Sequence, residues 1–116
     1  MTVVYVAGPF RGSSAWAVEQ HVRKAEELAM AVARLGAMPL CPHTNTRFFN
    51  GTLTDDFWLD GTIELMSRCD AVVVTDDWHL SAAARAEVTR AHQLNLPVLE
   101  NIDALRVWLM RGEVKS

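Results

Sequence analysis

The segment Ser81-Ala82-Ala83-Ala84-Arg85-Ala86-Glu87 places a hydroxyl at the start of a helical run and a carboxylate six residues further on. A serine there can cap the helix and can also meet an anion brought to the free amides of the first turn. Ala83 lies one helical turn before Glu87 on the same face, and its single methyl leaves room over the carboxylate for a small molecule. Val88, Ala91 and Leu94 put the apolar face in the same sector, so Glu87 belongs at the border of the core. A carboxylate so placed is paired, raised in pKa or used chemically. The same residues also allow a solvated glutamate paired at i,i+3 with Arg90, the commoner situation on composition alone.

A second constellation is Gly8-Pro9-Phe10-Arg11-Gly12, which supplies a backbone able to pass close to a ligand, one aromatic face and one guanidinium just before a helix amino end. Anions are favoured at such places by unpaired amides and the helix dipole. The spacing matches neither a phosphate-binding Walker loop nor a G-x-G-x-x-G fingerprint, and an ordinary turn with a solvated arginine remains open. Tyr5 can hydrogen-bond Glu87 if the first and third strands are neighbours, or can be a core tyrosine with its hydroxyl satisfied elsewhere. Trp78 and His79 can stack on a base or sugar, and Trp78 can equally cover the edge of the core. His43, Asn45 and Arg47 decorate a loop, where a lone histidine is more often a surface polar group than a ligand. Asp55, Asp56 and Asp60 read as helix-cap and solvated carboxylates, one of which is a candidate second acid.

These groups need a frame. Val3 to Ala7 is a short β-branched run stopped by Gly8-Pro9, a buried strand. From Ser14 to Leu35 apolar residues recur at three- and four-residue steps, a helix capped by Ser13 or Ser14 and stopped by Gly36. Ala37 to Cys41 is a brief second strand. His43 to Thr54 has no sustained period and reads as a long loop. Asp55 to Arg68 returns to helical spacing, weakened at Gly61. After Asp70, AVVVT is the strongest strand signal, followed by a helix over Ser81 to Leu94, a strand over Leu96 to Leu99 and a closing helix over Ile102 to Met110. Strands alternating with helices at this spacing imply an α/β doubly wound parallel sheet with helices on both faces, three layers in all. Ligands of such sheets bind beyond the carboxyl ends of the strands where strand order switches. The loops expected there are residues 8 to 13 and 76 to 81.

Composition narrows the function classes. The chain has 116 residues, half of them apolar and 22% charged, which suits one globular domain over residues 1 to 116. Eleven basic against fourteen acidic side chains give a net charge of −3, with no basic surplus to attract nucleic acid. No apolar run approaches the length of a membrane span, and the amino terminus lacks the pattern of a signal peptide, so a cytoplasmic location is expected. Cys41 and Cys69 are far apart without a partner pair at zinc-ligand spacing, so they read as buried thiols and no metal site is expected.

The motifs VYVAGPFRG, CDAVVV and W-x-x-S-x-A-A-R-x-E, in this order from Val3 to about Leu99, resemble the nucleoside 2-deoxyribosyltransferase-like superfamily, in particular its small bacterial and phage members. The resemblance implies a Rossmann-like, flavodoxin-type sheet, no cofactor, and a pocket for a nucleoside or its 5′-monophosphate. In active relatives the glutamate matching Glu87 attacks the anomeric carbon, the base departs, and water or a second base resolves the glycosyl-enzyme ester. Tyr5 matches the residue that orients this nucleophile. Gly8, Pro9, Phe10, Arg11, Gly12 and Ser81 match the region that holds a phosphate in monophosphate-specific members. Three positions depart from the pattern. Thr62 stands where an aspartate contacts the sugar or assists the leaving base, and Asp60 lies two residues, about 200° of helix, away. Ala83 stands where glycine is usual, and Asp77 precedes Trp78 where many small relatives carry glycine.

Three expectations follow. The first is an N-glycosidase or deoxyribosyl transferase with Glu87, Tyr5 and Asp60 as catalytic candidates, and with Thr62, Trp78, Ser81, Ala83 and the Gly8 to Gly12 turn against the substrate. The second is a nucleotide-binding or sensor protein without turnover, suggested by Thr62. The third is a partner-binding domain using one of the four tryptophans. A homodimer or higher homo-oligomer is also expected, because relatives often complete the pocket with a neighbouring subunit.

Overall fold

The computed structural model describes residues 1–45, 49 and 52–115. Four strands, β1 (Val3–Ala7), β2 (Met38–Leu40), β3 (Ala71–Val74) and β4 (Val98–Leu99), form one sheet in the order β2-β1-β3-β4. Every pairing is parallel, with Tyr5 beside Leu40 on one side and Val72 on the other. The chain leaves β1 toward one edge and returns at β3 on the other side, so strand order switches between β1 and β3. This is the doubly wound α/β sheet that the alternation of elements requires.

Among the described residues, α1 (Ala15–Arg34), α2 (Pro42–Asn45), α3 (Asp55–Ser67) and α4 (Ala82–Gln93) connect the strands, and α5 (Ile102–Lys115) follows β4. Side chains alternate across a strand, and β1 splits its residues accordingly. Val4 and Val6 join Ala25, Val32 and Leu105 on the face covered by α1 and α5. Tyr5 and Ala7 join Met66, Val88 and Ala91 on the face covered by α3 and α4. The two-residue period of β1 therefore decides that Tyr5 faces α4. Among the described residues, no helix is long and apolar enough to cross a membrane.

Local chemistry sets the ends. Ser14 caps α1, its hydroxyl accepting from the Ala17 amide at 3.1 Å. Gly36 follows the carboxyl end of α1 with φ +92°, a left-handed conformation that a side chain disfavours. Ser81 caps α4, accepting from the Ala84 amide at 3.2 Å.

Several boundaries differ from the sequence expectation. β4 begins at Val98 rather than Leu96, because only its inner side has a neighbour and pairing covers Val98 and Leu99 alone. The closing helix continues to Lys115 rather than stopping at Met110. The stretch read as a loop from His43 begins with the single turn α2, while Arg47 lies outside the described residues. Helix α3 runs unbroken through Gly61, which is exposed.

At Gly61 an added Cβ meets no atom within 4 Å. Gly61→Ala is therefore expected to stabilise the protein by roughly 0.5–1 kcal/mol, read as a higher urea midpoint with an unchanged slope. A lower midpoint would show that the helix needs glycine there.

Candidate functional site

The carboxyl ends of β1 and β3 build the site. A Cβ on Gly8 would stand 2.6 Å from the Thr75 hydroxyl oxygen, so glycine is what lets the turn after β1 lie against the end of β3. The Thr75 hydroxyl donates to Asp77 at 2.7 Å, and the Lys24 ammonium approaches both Asp76 and Asp77. Partial burial works against ionisation of Asp77, but these partners hold its carboxyl below the ordinary value. A short 3-10 turn, Trp78–Leu80, then leads into Ser81 and α4. Arg85 donates to the carbonyl of His79 at 2.7 Å, which fixes this turn to the helix.

Glu87 is 6% exposed, and Tyr5 is fully buried. The Tyr5 hydroxyl donates to Glu87 Oε2. Burial pushes the Glu87 carboxyl up to about 7, against the opposing effect of the Tyr5 hydrogen bond and the nearby Thr62 hydroxyl. Burial, and then the adjacent carboxylate, drive the Tyr5 phenol well above its ordinary value, so it stays a donor. The Thr62 hydroxyl, which donates its proton to the Leu59 carbonyl at 2.9 Å, lies near both groups. The pairing of Glu87 with Arg90 that the sequence left open does not form: Arg90 bonds Gln93, and Glu87 turns into the fold.

In front of Glu87 lies a cavity of about 580 Å³, within the range of small-molecule sites. Of the sequence candidates, Gly8, Pro9, Phe10 and Arg11 line one wall, and Thr62, Ser81, Ala83 and Glu87 line another. Tyr5 stands behind Glu87. The structure separates three candidates from this group. Asp60 is exposed on α3 and is not part of the wall, consistent with its angular offset from Thr62. Gly12 packs on Ala17, where an added Cβ would approach to 2.5 Å. Trp78 packs against the apolar cluster beneath α3 and α4, the core-edge position that its sequence also allowed.

Other contacts of the wall escaped sequence reasoning. Arg11 is bound to Asp55, Nη1 donating to Oδ2 at 2.8 Å, so the turn after β1 is joined to the first turn of α3. The N-cap of α3 is Thr54, which accepts from the Phe57 amide at 3.2 Å. Asp55 and Asp56 follow it and both line the cavity.

His43, expected at the surface, is only 4% exposed. Its Nε2–H donates to the Pro9 carbonyl at 2.8 Å, and its ring meets Phe10 edge-on with centroids 5.8 Å apart. Burial lowers its pKa. His21 of α1 and Trp58 of α3 also reach the wall. Three buried polar atoms of these residues, His43 Nδ1, His21 Nδ1 and Trp58 Nε1, have no partner among the described residues. The Pro42 that precedes it, directly after a strand, is the one sequence signal that could have tied His43 to a strand end. Among the described residues, no cluster of three or more metal-ligating side chains occurs.

Comparison with known proteins places this geometry. A solved 2-deoxyribosyltransferase from the psychrotolerant bacterium Bacillus psychrosaccharolyticus shares the fold, with a TM-score of 0.61 and 20% sequence identity over 84% of this chain and 70% of that one. No curated protein matches the sequence. A family model described as Domain of unknown function (DUF7768) matches residues 2–101. The match spans all four strands and both loops that carry the cavity, and the chain belongs to this DUF7768 family.

Proposed function

We propose that the protein cleaves or transfers the N-glycosidic bond of a nucleoside or nucleoside 5′-monophosphate, with Glu87 as the nucleophile. The observation that carries this reading is a buried carboxylate facing a cavity of nucleoside size, held from behind by a tyrosine hydroxyl. The fold shared with a 2-deoxyribosyltransferase, described as a biocatalyst for nucleoside synthesis, supports it.

In the proposed reaction an ionised Glu87 oxygen attacks the anomeric carbon as the bond to the base nitrogen breaks, and the bonding electrons leave with the base. Attack of water or of a second base on the same carbon then releases the glutamate. Tyr5 fixes the carboxylate's orientation through one oxygen and leaves the other free to attack. Ala83, with only a methyl, keeps the approach to that oxygen open. The cost of ionising Glu87 in a buried site is recovered when positive charge develops on the sugar, because the carboxylate is stronger against that charge in a water-poor cavity than in bulk solvent.

Incubation with a panel of deoxynucleosides and their monophosphates should release free base, and Glu87→Ala should remove that release. Full activity in this variant would reject Glu87 as nucleophile. The rate should rise with pH through about 7 as the carboxyl ionises. Because the Tyr5 hydrogen bond lowers the Glu87 pKa, Tyr5→Phe should move the midpoint upward and reduce the rate near neutral pH about 10- to 100-fold. An unmoved midpoint would remove Tyr5 from this role.

Stability provides an independent reading of the same pKa. Protonated Glu87 suits the buried site, so its contribution is present below the ordinary pKa of about 4.5 and is lost as pH rises through about 7. Glu87→Gln should accordingly gain stability relative to the parent protein over that interval, on the order of 1–3 kcal/mol. A difference independent of pH would contradict the raised value.

Thr62 favours a second reading, a nucleotide-binding protein without turnover. It lines the cavity with a hydroxyl where an acid would assist the leaving base, and the adjacent Asp60 carboxyl is outside the wall. On this reading nucleosides bind without base release, and Thr62→Asp confers measurable release. Release by the parent protein decides against it.

A further inference from the structure

Asp77 lies on the cavity wall with 25% of its side chain exposed. It stands where an aspartate ordinarily caps, at the start of the 3-10 turn Trp78–Leu80, yet its side chain makes no capping hydrogen bond. The carboxylate is held instead by two residues that are not on the wall. The Thr75 hydroxyl donates to Oδ1 at 2.7 Å, and the Lys24 ammonium stands 3.5 Å from Oδ2. Lys24 has its closer partner in Asp76, so its charge is met without Asp77. Thr75 packs on Gly8 at the ends of β1 and β3, so the sheet itself fixes where this carboxylate sits.

The other wall carboxyls are differently placed. Asp55 is committed to Arg11, Glu87 is bound by Tyr5, and Asp56 is exposed, where water competes for its hydrogen bonds. Asp77 alone among them is half-buried and held ionised by contacts from off the wall. A carboxylate accepts about four hydrogen bonds. Thr75, Lys24 and its own amide approach Asp77, which leaves acceptor capacity for its exposed part. A charged acceptor away from bulk water binds a donor more strongly than a neutral one does.

We propose that Asp77 is a specificity-determining residue of the cavity, its carboxylate accepting a hydrogen bond from an O–H or N–H group of the bound nucleoside. This rests on the nucleoside reading and adds to it the residue that selects among nucleosides. The donor is a sugar hydroxyl or a base amine, two sources of one chemistry that suitable analogues separate.

Calorimetric titration of the full chain carrying Glu87→Gln, which holds the ligand without release, tests the assignment. The probes are 2′-deoxyadenosine and three analogues that each lack one donor: 2′,3′-dideoxyadenosine, 2′,5′-dideoxyadenosine and purine 2′-deoxyriboside. The analogue without the recognised donor should bind about 10- to 100-fold more weakly than 2′-deoxyadenosine. Adding Asp77→Asn, which keeps the size of the side chain and an oxygen for Thr75, should erase that difference by weakening 2′-deoxyadenosine to the level of that analogue. Lys24→Met, which removes the tie to α1 but not the carboxylate, should preserve the difference. Equal weakening of all four probes by Asp77→Asn overturns the assignment, as does a difference lost as fully in Lys24→Met; both leave the nucleoside reading intact. Failure of all four to bind the protein with Asp77 in place overturns both.

Discussion

A carboxylate that would be solvated on almost any other helix face is here enclosed by protein, and the Tyr5–Glu87 hydrogen bond is what makes that enclosure tolerable. An unpaired buried carboxylate carries a large desolvation cost. A phenol whose own ionisation is suppressed by burial is a donor that neither titrates away nor competes for the negative charge. The bond also ties β1 to α4 across 82 residues of sequence, so the position of the candidate nucleophile is set by the interior of the sheet rather than by a loop. Removing either partner leaves the other polar group buried and unmet, which is why the two behave as one unit.

The rest of the fold can be understood as what that unit requires. Tyr5 reaches Glu87 only because β1 and β3 are neighbours and α4 follows β3 across the same face. Gly8 lets the turn after β1 come down on Thr75, and Thr75 in turn anchors Asp77 at the start of the segment leading to α4. The Arg11–Asp55 pair works differently. Its side chains are 59% and 67% exposed, and exposed ion pairs contribute little to stability. Its consequence is electrostatic: the guanidinium expected to face a ligand anion is instead largely neutralised at the edge of the cavity.

What the sequence disclosed and what it withheld divide along physical lines. The strands, the long helices and the side of the sheet on which Tyr5 and Glu87 lie follow from periods of two and 3.6, and a period is a repeated signal in which no single residue decides. Ser81 was legible as a cap, and Ser14 as one of two candidates with Ser13, because capping chemistry is local. His43 was not legible as buried, since a lone histidine carries no period and its carbonyl partner, Pro9, is 34 residues away in sequence. The same holds for Arg11 and Asp55, which are 44 residues apart and whose types suggest separate roles, anion contact and helix-end charge. The Thr62 departure was visible in the sequence, but only the structure puts its side chain near both Tyr5 and Glu87, where a carboxylate would instead add a second negative charge to a buried pair.

Threonine at position 62 changes how the proposed chemistry is divided among residues. With Asp in place of Thr62, the Glu87 pKa would be driven up by like charge, and one of the two carboxyls would hold a proton near neutral pH, available to the leaving base. With threonine, the proton on Glu87 has only burial to retain it, and the Tyr5 hydrogen bond and the nearby Thr62 hydroxyl both favour its loss. In the proposed reaction this arrangement would favour the nucleophile over the acid: it would make the carboxylate proposed to attack easier to ionise and would give up protonation of the base. Such a site suits a substrate whose base leaves without strong assistance, or whose proton arrives from solvent through the open side of the cavity.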